Sequence, residues 1–304
     1  MDFHRNDQNA GQLILAGDPR QLGPIITSSL CKKYGMEISL MERLANRSVY
    51  SNKGGEYPKE LITKLIRNFR SHPDILKLPN EMFYDNELIA CGDQFDTHSM
   101  ANWEHLPRPK FPVIFHSVFG ESEREGNSPS WFNRQEAEVV LHYVRLLVTQ
   151  SKPGIRMDEI GVITPYARQV QKIRLLLKAN DLGDVKVGSV ETFQGQERRC
   201  IIVSTVRSSE HHLAFDAKYN LGFVNHPKRF NVTVTRAKAL LVTIGQPYVL
   251  ATDKDHWLPL LRMCHEAGSW VGEPWDENVD TEEKDIAASP LPLQHMFKII
   301  EWFV

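Results

Sequence analysis

Apolar and polar positions along this chain follow two alternating periods. Short, nearly continuous apolar runs stand at 12–16, 61–66, 112–118, 160–164, 185–190, 199–205 and 239–244. Runs of that length, bounded by Gly, Pro or Asp, fit strands buried on both faces. Between them, apolar residues recur three and four apart near 73–84, 133–148, 166–179 and 255–267, and a further helix is expected at 226–237. That spacing predicts amphipathic helices. Ser39 and Asn133 each precede a Glu by three residues, the spacing of a helix-opening capping box. Residues 46–58, with Gly54-Gly55, and 90–110 read as connections. From 112 onward strand and helix alternate closely, which predicts an α/β fold: a parallel sheet with helices on both faces. Ligands in such folds are expected at the carboxyl ends of the strands. Beyond 276 the chain turns acidic and Pro-containing and is expected to take no fixed fold. The apolar stretch 297–303 has no assigned place.

Composition agrees with a packed core. The chain has 304 residues, 41% apolar and 24% charged, enough for one large domain or one domain plus a fragment. Its apolar runs fall well short of the roughly 20 residues needed to cross a bilayer, so no membrane span is expected. Residues 1–9 are polar, without the apolar stretch of a secretory signal. The four cysteines form no C-x-x-C pair and the twelve histidines show no ligand spacing. Neither a disulfide frame nor a metal site is expected. Net charge is −2, but residues 160–240 hold 13 Lys/Arg against 6 Asp/Glu. One basic face meeting a polyanion fits that distribution, and so does an ordinary solvated surface.

Five polar loops at predicted strand ends carry the candidate chemistry. Gly17-Asp18-Pro-Arg-Gln21-Leu-Gly-Pro24 is a rigid Gly/Pro loop able to hold the Gln21 amide against a phosphate or its attacking water. Asn68-Phe69-Arg70-Ser-His-Pro73 sets an aromatic face beside a guanidinium fork. Thr164-Pro-Tyr166-Ala-Arg-Gln169 lies at a strand-to-helix junction, where free backbone N–H groups favour phosphate. Ser189-Val-Glu-Thr192-Phe-Gln-Gly-Gln-Glu197 supplies hydroxyls for phosphates and acids for ribose hydroxyls. Arg229-Phe-Asn-Val-Thr-Val-Thr-Arg236-Ala-Lys238 carries cations at both ends of a short helix. Taken singly, each loop is better read as ordinary structure: a Gly/Pro turn, a core Phe, a solvated Arg. Their order in one chain is what differs.

That order resembles the C-terminal motifs of superfamily 1 helicases in the nonsense-mediated-decay branch. GDPRQLGP (17–24), NFRSHP (68–73), SVETFQGQE (189–197) and RFNVTVTRAK (229–238) match the third to sixth motifs, with Phe69 where most relatives have tyrosine. EREGNSPSWFN (123–133), KVGSVETFQGQE and KRFNVTVTRAKALL bring the wording closest to the Moloney-leukaemia-virus-resistance and Armitage family of RNA helicases, over about 11–275. The resemblance implies a RecA-like second helicase lobe at 69–275, a remnant of the first lobe at 1–68, and a tail at 276–304. It implies that Gln21 senses the γ-phosphate and that Arg70 and Arg236 act as arginine fingers. Gly17 and Asp18 belong to the nucleotide loop, Phe69 stacks on adenine, and Glu197 sits near the ribose. Thr164, Tyr166, Gln169, Ser189 and Thr192 would lie on the track that holds RNA.

The implied cofactor is ATP with Mg²⁺, in a protein with both lobes. The implied partners are single-stranded RNA, the first lobe, and Argonaute/Piwi-type silencing proteins in cytoplasmic ribonucleoprotein granules. The implied motor moves 5′ to 3′. No G-x-x-x-x-G-K-[ST] loop occurs in the sequence, nor an Asp-Glu-Ala strand ahead of Gly17. The chain by itself is therefore expected not to hydrolyse ATP. A non-catalytic RNA- or protein-binding module and a DNA helicase of the same superfamily are the rival readings. Comparing affinity for matched RNA and DNA strands separates the last.

Overall fold

A computed structural model describes residues 13–50, 57, 58, 60–126, 130–151, 154–208 and 226–277. Residues 1–273 form one compact unit and 274–304 a second. The expectations for 1–12, for Gly54-Gly55 and for the tail beyond 277 lie outside the described residues.

Between residues 13 and 70 no described residue is buried. Two short helices stand here, α1 (Ser29–Lys33) and α2 (Leu40–Ala45), the second capped by the Ser39 hydroxyl, which accepts from the Glu42 amide at 3.1 Å. The strand expected at 12–16 does not form; Ile14 is 85% exposed. An apolar run becomes a strand only when a neighbour completes its hydrogen-bond ladder, and no described strand lies beside it. The run at 61–66 likewise stays irregular. Pairing begins one residue later, with β1 (Arg67–Asn68) parallel to β2 (Ile89–Ala90). Between them runs α3 (Pro73–Phe83), opened by Pro at its first position and by His72 as cap. The supposedly irregular stretch after 90 contains one helical turn, α4 (Gln94–Thr97).

The main sheet follows the expected alternation. Its strands are β3 (Val113–Ser117), β6 (Ile160–Ile163), β7 (Lys186–Gly188), β8 (Arg198–Ser204), β9 (Ala237–Gly245) and β10 (Trp270–Gly272), while β4 (Glu123–Arg124) and β5 (Trp131–Phe132) form a separate hairpin. The six strands are all parallel, in the order β10-β3-β9-β8-β6-β7. Neighbours in sequence are thus linked by crossovers: α5 (Arg134–Thr149), α6 (Ala167–Lys178), the single turn α7 (Val190–Phe193), and α8 (Pro227–Val234). Two further helices, α9 (Pro247–Leu250) and α10 (Trp257–Glu266), precede the edge strand β10.

Side chains alternate between the two faces of each strand. Leu240, Val242 and Ile244 of β9 join Cys200 and Ile202 of β8 in one core with Val140, Val144 and Leu147 of α5 and Ile173 of α6. The alternate residues Leu241, Thr243, Ile201 and Val203 point the other way and are equally buried, so both faces are covered. That is the α/β architecture expected, a RecA-like lobe. The sequence-level strand at 185–190 ends early, because the Ser189 hydroxyl accepts from the Thr192 amide and turns the chain into α7.

Candidate nucleotide and RNA site

Every strand of the main sheet points the same way, so loops that precede strands and loops that follow them gather at opposite edges. Arg198 pairs with Ala237 at the start of β8 and β9. Glu197 and Arg236, one residue earlier on each strand, therefore sit side by side at the amino edge. The 68–73 loop is stitched to the same edge: Ser71 Oγ donates to the Ala237 carbonyl at 2.8 Å and the His72 amide to that of Lys238 at 2.8 Å. This corrects the expectation that the pocket lies at the carboxyl ends. The crossovers bring the chain back to the amino edge before each strand, and the polar residues of those returns collect there.

Arg236 is 1% exposed, and each nitrogen of its fork meets an oxygen, four hydrogen bonds for five N–H groups. Nε donates to the Val232 carbonyl at 2.9 Å, and NH1 to that of Gln196 at 3.4 Å. NH2 reaches both Thr235 Oγ1 at 2.9 Å and Gln21 Oε1 at 3.2 Å. Arg70 donates from Nε to Glu197 and from NH1 to the Thr235 carbonyl at 3.4 Å. Lys238 takes the other Glu197 oxygen at 3.2 Å. Burial, then the neighbouring Arg70 charge, pull Arg236 down to about 10, which still leaves it cationic at neutral pH. Partial burial pushes the Glu197 carboxyl up, but Arg70 and Lys238 outweigh it and hold the group below the ordinary carboxylate range. A cleft of about 190 Å³, lined by charged residues including Asp96, Arg198 and Lys238, opens beside Glu197 and makes it reachable.

Gln21 is placed by its own loop. Asp18 Oδ1 accepts from the Arg20 amide at 2.9 Å, and Oδ2 from Gln21 Nε2 at 2.8 Å. Gly17 leads into this turn, packed near the Met41 side chain, which a Cβ there would touch at ordinary contact distance. The structure thus brings Gln21, Arg70, Arg236, Asp18 and Glu197 together. Phe69 next to Arg70 is 69% exposed, a ring face left open to solvent. Two guanidinium groups set close together, with one carboxylate between Arg70 and Lys238, suit an anion with several oxygens such as a polyphosphate. Among the described residues no group of three or more His, Cys, Asp or Glu could hold a metal ion.

The five residues expected on an RNA track divide. Ser189 and Thr192 lie at the surface at the start of α7. Thr164, Tyr166 and Gln169 are buried. Gln169, with no exposed surface, donates to the Asn133 carbonyl and to Ser204 Oγ, each at 3.0 Å, and accepts from the Asn133 amide at 2.9 Å. Its amide ties α6 to α5 and β8 and is not presented to a ligand. The Tyr166 hydroxyl accepts from Arg207 Nε at 2.8 Å, and the Arg207 guanidinium lies 4.4 Å from the Trp131 ring centroid and 5.1 Å from that of Tyr166. Thr164 is fully buried, and its hydroxyl meets no hydrogen-bond partner among the described residues.

Three groups here were not marked as site residues by the sequence. Tyr84 and Asn231 contact the Gly17 loop from helices remote in sequence. Glu136, fully buried on α5, accepts from the Val206 amide at 2.9 Å and from Ser204 Oγ at 2.6 Å. Val206 sits at φ 74°, a left-handed conformation costly for a β-branched residue, and the carboxylate anchors it.

The family described as an AAA domain matches residues 36–248. The chain is 48% identical over 293 residues to a putative helicase mov-10-B.1 of Danio rerio, covering 92% of this chain and 28% of that protein. It is 50% identical over 250 residues to the RNA helicase Mov10l1 of Homo sapiens, covering 80% and 21%. It is 38% identical over 278 residues to the probable RNA helicase armi of Drosophila melanogaster, covering 86% and 23%. The chain thus spans less than a third of the length of these relatives. With its RecA-like sheet and its ordered helicase motifs, it belongs to the AAA-domain family, in the superfamily 1 helicase branch of the MOV-10, Mov10l1 and Armitage proteins.

Proposed function

We propose that this chain is the nucleotide-sensing and strand-gripping part of an ATP-dependent RNA helicase that moves 5′ to 3′. The observation that carries this reading is the meeting of Gln21, Arg70 and Arg236 at one edge of the sheet. ATP with Mg²⁺ supplies the phosphoryl group when bound, with the Mg²⁺ ligands and the phosphate cradle outside the residues described here. Arg70 and Arg236 then lie on the phosphoryl oxygens, where such groups are worth roughly 10³–10⁵ in rate. Gln21 orients at the γ end, Phe69 stacks on the base, and Glu197 meets the ribose. Ser189 and Thr192 hold the RNA backbone, which suits binding without sequence preference. The names of the RNA-helicase relatives favour RNA over DNA as the strand held. Argonaute/Piwi-type silencing proteins as partners and cytoplasmic ribonucleoprotein granules as location belong to the same proposal.

The chain alone is expected to bind ATP weakly and not to turn it over. The two-lobe protein is expected to show RNA-stimulated ATP hydrolysis, lost in Arg236→Ala. RNA-stimulated turnover by the isolated chain would refute the first statement; full activity in Arg236→Ala would refute the second. Equal affinity for matched RNA and DNA single strands would remove the preference for RNA.

A further inference from the structure

We propose that Tyr84 and Asn231 are positioning residues that hold Gln21 against Arg236 through Asp18. The inference rests on the reading above, in which Gln21 faces the phosphoryl end of ATP. Tyr84 caps the C-terminal end of α3, and its hydroxyl lies 2.6 Å from Asp18 Oδ2. Asn231, fully buried in α8, donates from Nδ2 to that hydroxyl at 2.9 Å and to the Arg20 carbonyl at 3.1 Å. Asp18 Oδ2 accepts in turn from Gln21 Nε2 at 2.8 Å, and Gln21 Oε1 accepts from Arg236 at 3.2 Å.

The order of donors and acceptors in this series is forced. A carboxylate only accepts and a guanidinium only donates, so Gln21 must turn its NH₂ to Asp18 and its oxygen to Arg236. The usual ambiguity in the orientation of an amide therefore does not arise here. Because Asp18 only accepts, Tyr84 must donate to it and must take its own hydrogen bond from Asn231. The Arg20 carbonyl only accepts as well, which fixes the Asn231 amide. Burial and the Asp18 carboxylate raise the Tyr84 phenol to about 12, so its proton stays in place throughout the physiological range. Without the Tyr84 hydroxyl, Asp18 loses one of the two donors on Oδ2, and the turn bearing Gln21 is released from α3, keeping on the α8 side only the Asn231 bond to the Arg20 carbonyl.

The test has two arms. In the chain itself, Tyr84→Phe is expected to speed amide exchange at Arg20 and Gln21 about tenfold, with the sheet amides unchanged. In the two-lobe protein, the same change should lower kcat for RNA-stimulated ATP hydrolysis about tenfold, near 1.4 kcal/mol, while leaving KM for ATP in place. Adding Asn231→Ala to Tyr84→Phe should cost less than the sum of the two single losses, because the two side chains share the Tyr84 hydroxyl. Unchanged exchange and kcat in Tyr84→Phe, with Arg236→Ala inactive, would overturn the relay and leave the phosphate pocket standing. Normal turnover in Arg236→Ala would overturn the pocket and the relay together. Should Asn231→Ala lower the unfolding midpoint, Tyr84→Phe decides the matter alone.

Discussion

Arg236 donates from NH2 to Oε1 of Gln21 at 3.2 Å, joining residues 215 positions apart. The same nitrogen also reaches Thr235 Oγ1, while Nε meets the Val232 carbonyl and NH1 that of Gln196. A lysine at 236 places one ammonium where a planar fork now reaches four acceptors. In the two-lobe protein, Arg236→Ala and Arg236→Lys should both lower RNA-stimulated ATP turnover by about 10³ or more. A lysine variant with near-normal turnover would show that charge alone suffices.

Phe69 presents an open ring beside Arg70. Stacking one base on an aromatic face is worth about 1–3 kcal/mol. Phe69→Ala should weaken nucleotide binding by roughly tenfold or more, whereas Phe69→Tyr, adding only a hydroxyl, should leave it nearly intact. A fluorescent ATP analogue titrated against both variants checks this, and equal losses would argue against stacking.

Gln169 and Thr192 should part company in two assays. Gln169→Ala leaves the buried Asn133 amide without its partner and takes one hydrogen bond from Ser204, which costs about 1–3 kcal/mol for the group left unpaired. Its urea midpoint should fall. Thr192→Val changes an exposed hydroxyl and should leave the midpoint alone while weakening single-stranded RNA binding. A Gln169 variant of full stability and reduced RNA affinity would return that residue to the track.

Glu136 gives a pH signature. Burial pushes its carboxyl up to about 7 against the pull of its hydrogen bonds from Ser204 and the Val206 and Thr205 backbone. A carboxyl raised on folding keeps a proton that the unfolded chain releases near pH 4.5. Stability from this group is thus full below that pH and declines as pH rises to about 7, by roughly 3 kcal/mol in all. Glu136→Gln should remove that part of the slope between pH 5 and 8. Urea unfolding at several pH values measures it; an identical slope in the variant would mean that the carboxyl is not the source.

How much of this was legible beforehand follows from what each signal reports. The strand and helix series at 112–244 stood out because both faces of the sheet are covered, leaving unbroken apolar runs such as 200–203. The run at 12–16 looked the same, yet forms no strand, because pairing depends on a neighbour that composition does not reveal. β10 was missed: it is three residues long and ends at Gly272, φ 87°. The motif wording marked Gln21, Arg70 and Arg236, whose meeting the structure then displayed. It could not say that they gather at the amino edge, which depends on where each crossover returns. Gln169 misled because an amide at a helix start resembles an anion site until burial is known. Tyr84 and Asn231 gave no sign, since only the third dimension brings α3 and α8 to Asp18.

One consequence follows from how α8 is moored. At its first turn Arg229 grips Glu191 of α7, the element that carries Thr192, at 3.1 Å. Past its last residue, Arg236 is tied back to the Val232 carbonyl. Eight residues of helix, about 12 Å long, are a stiff strut between those moorings. A push delivered at Glu191 by a strand lying on α7 would tilt the strut as one piece and swing the guanidinium with it. Mechanical communication between the α7 surface and the amino edge of the sheet then needs no long relay of side chains, only one short rod pinned at both ends.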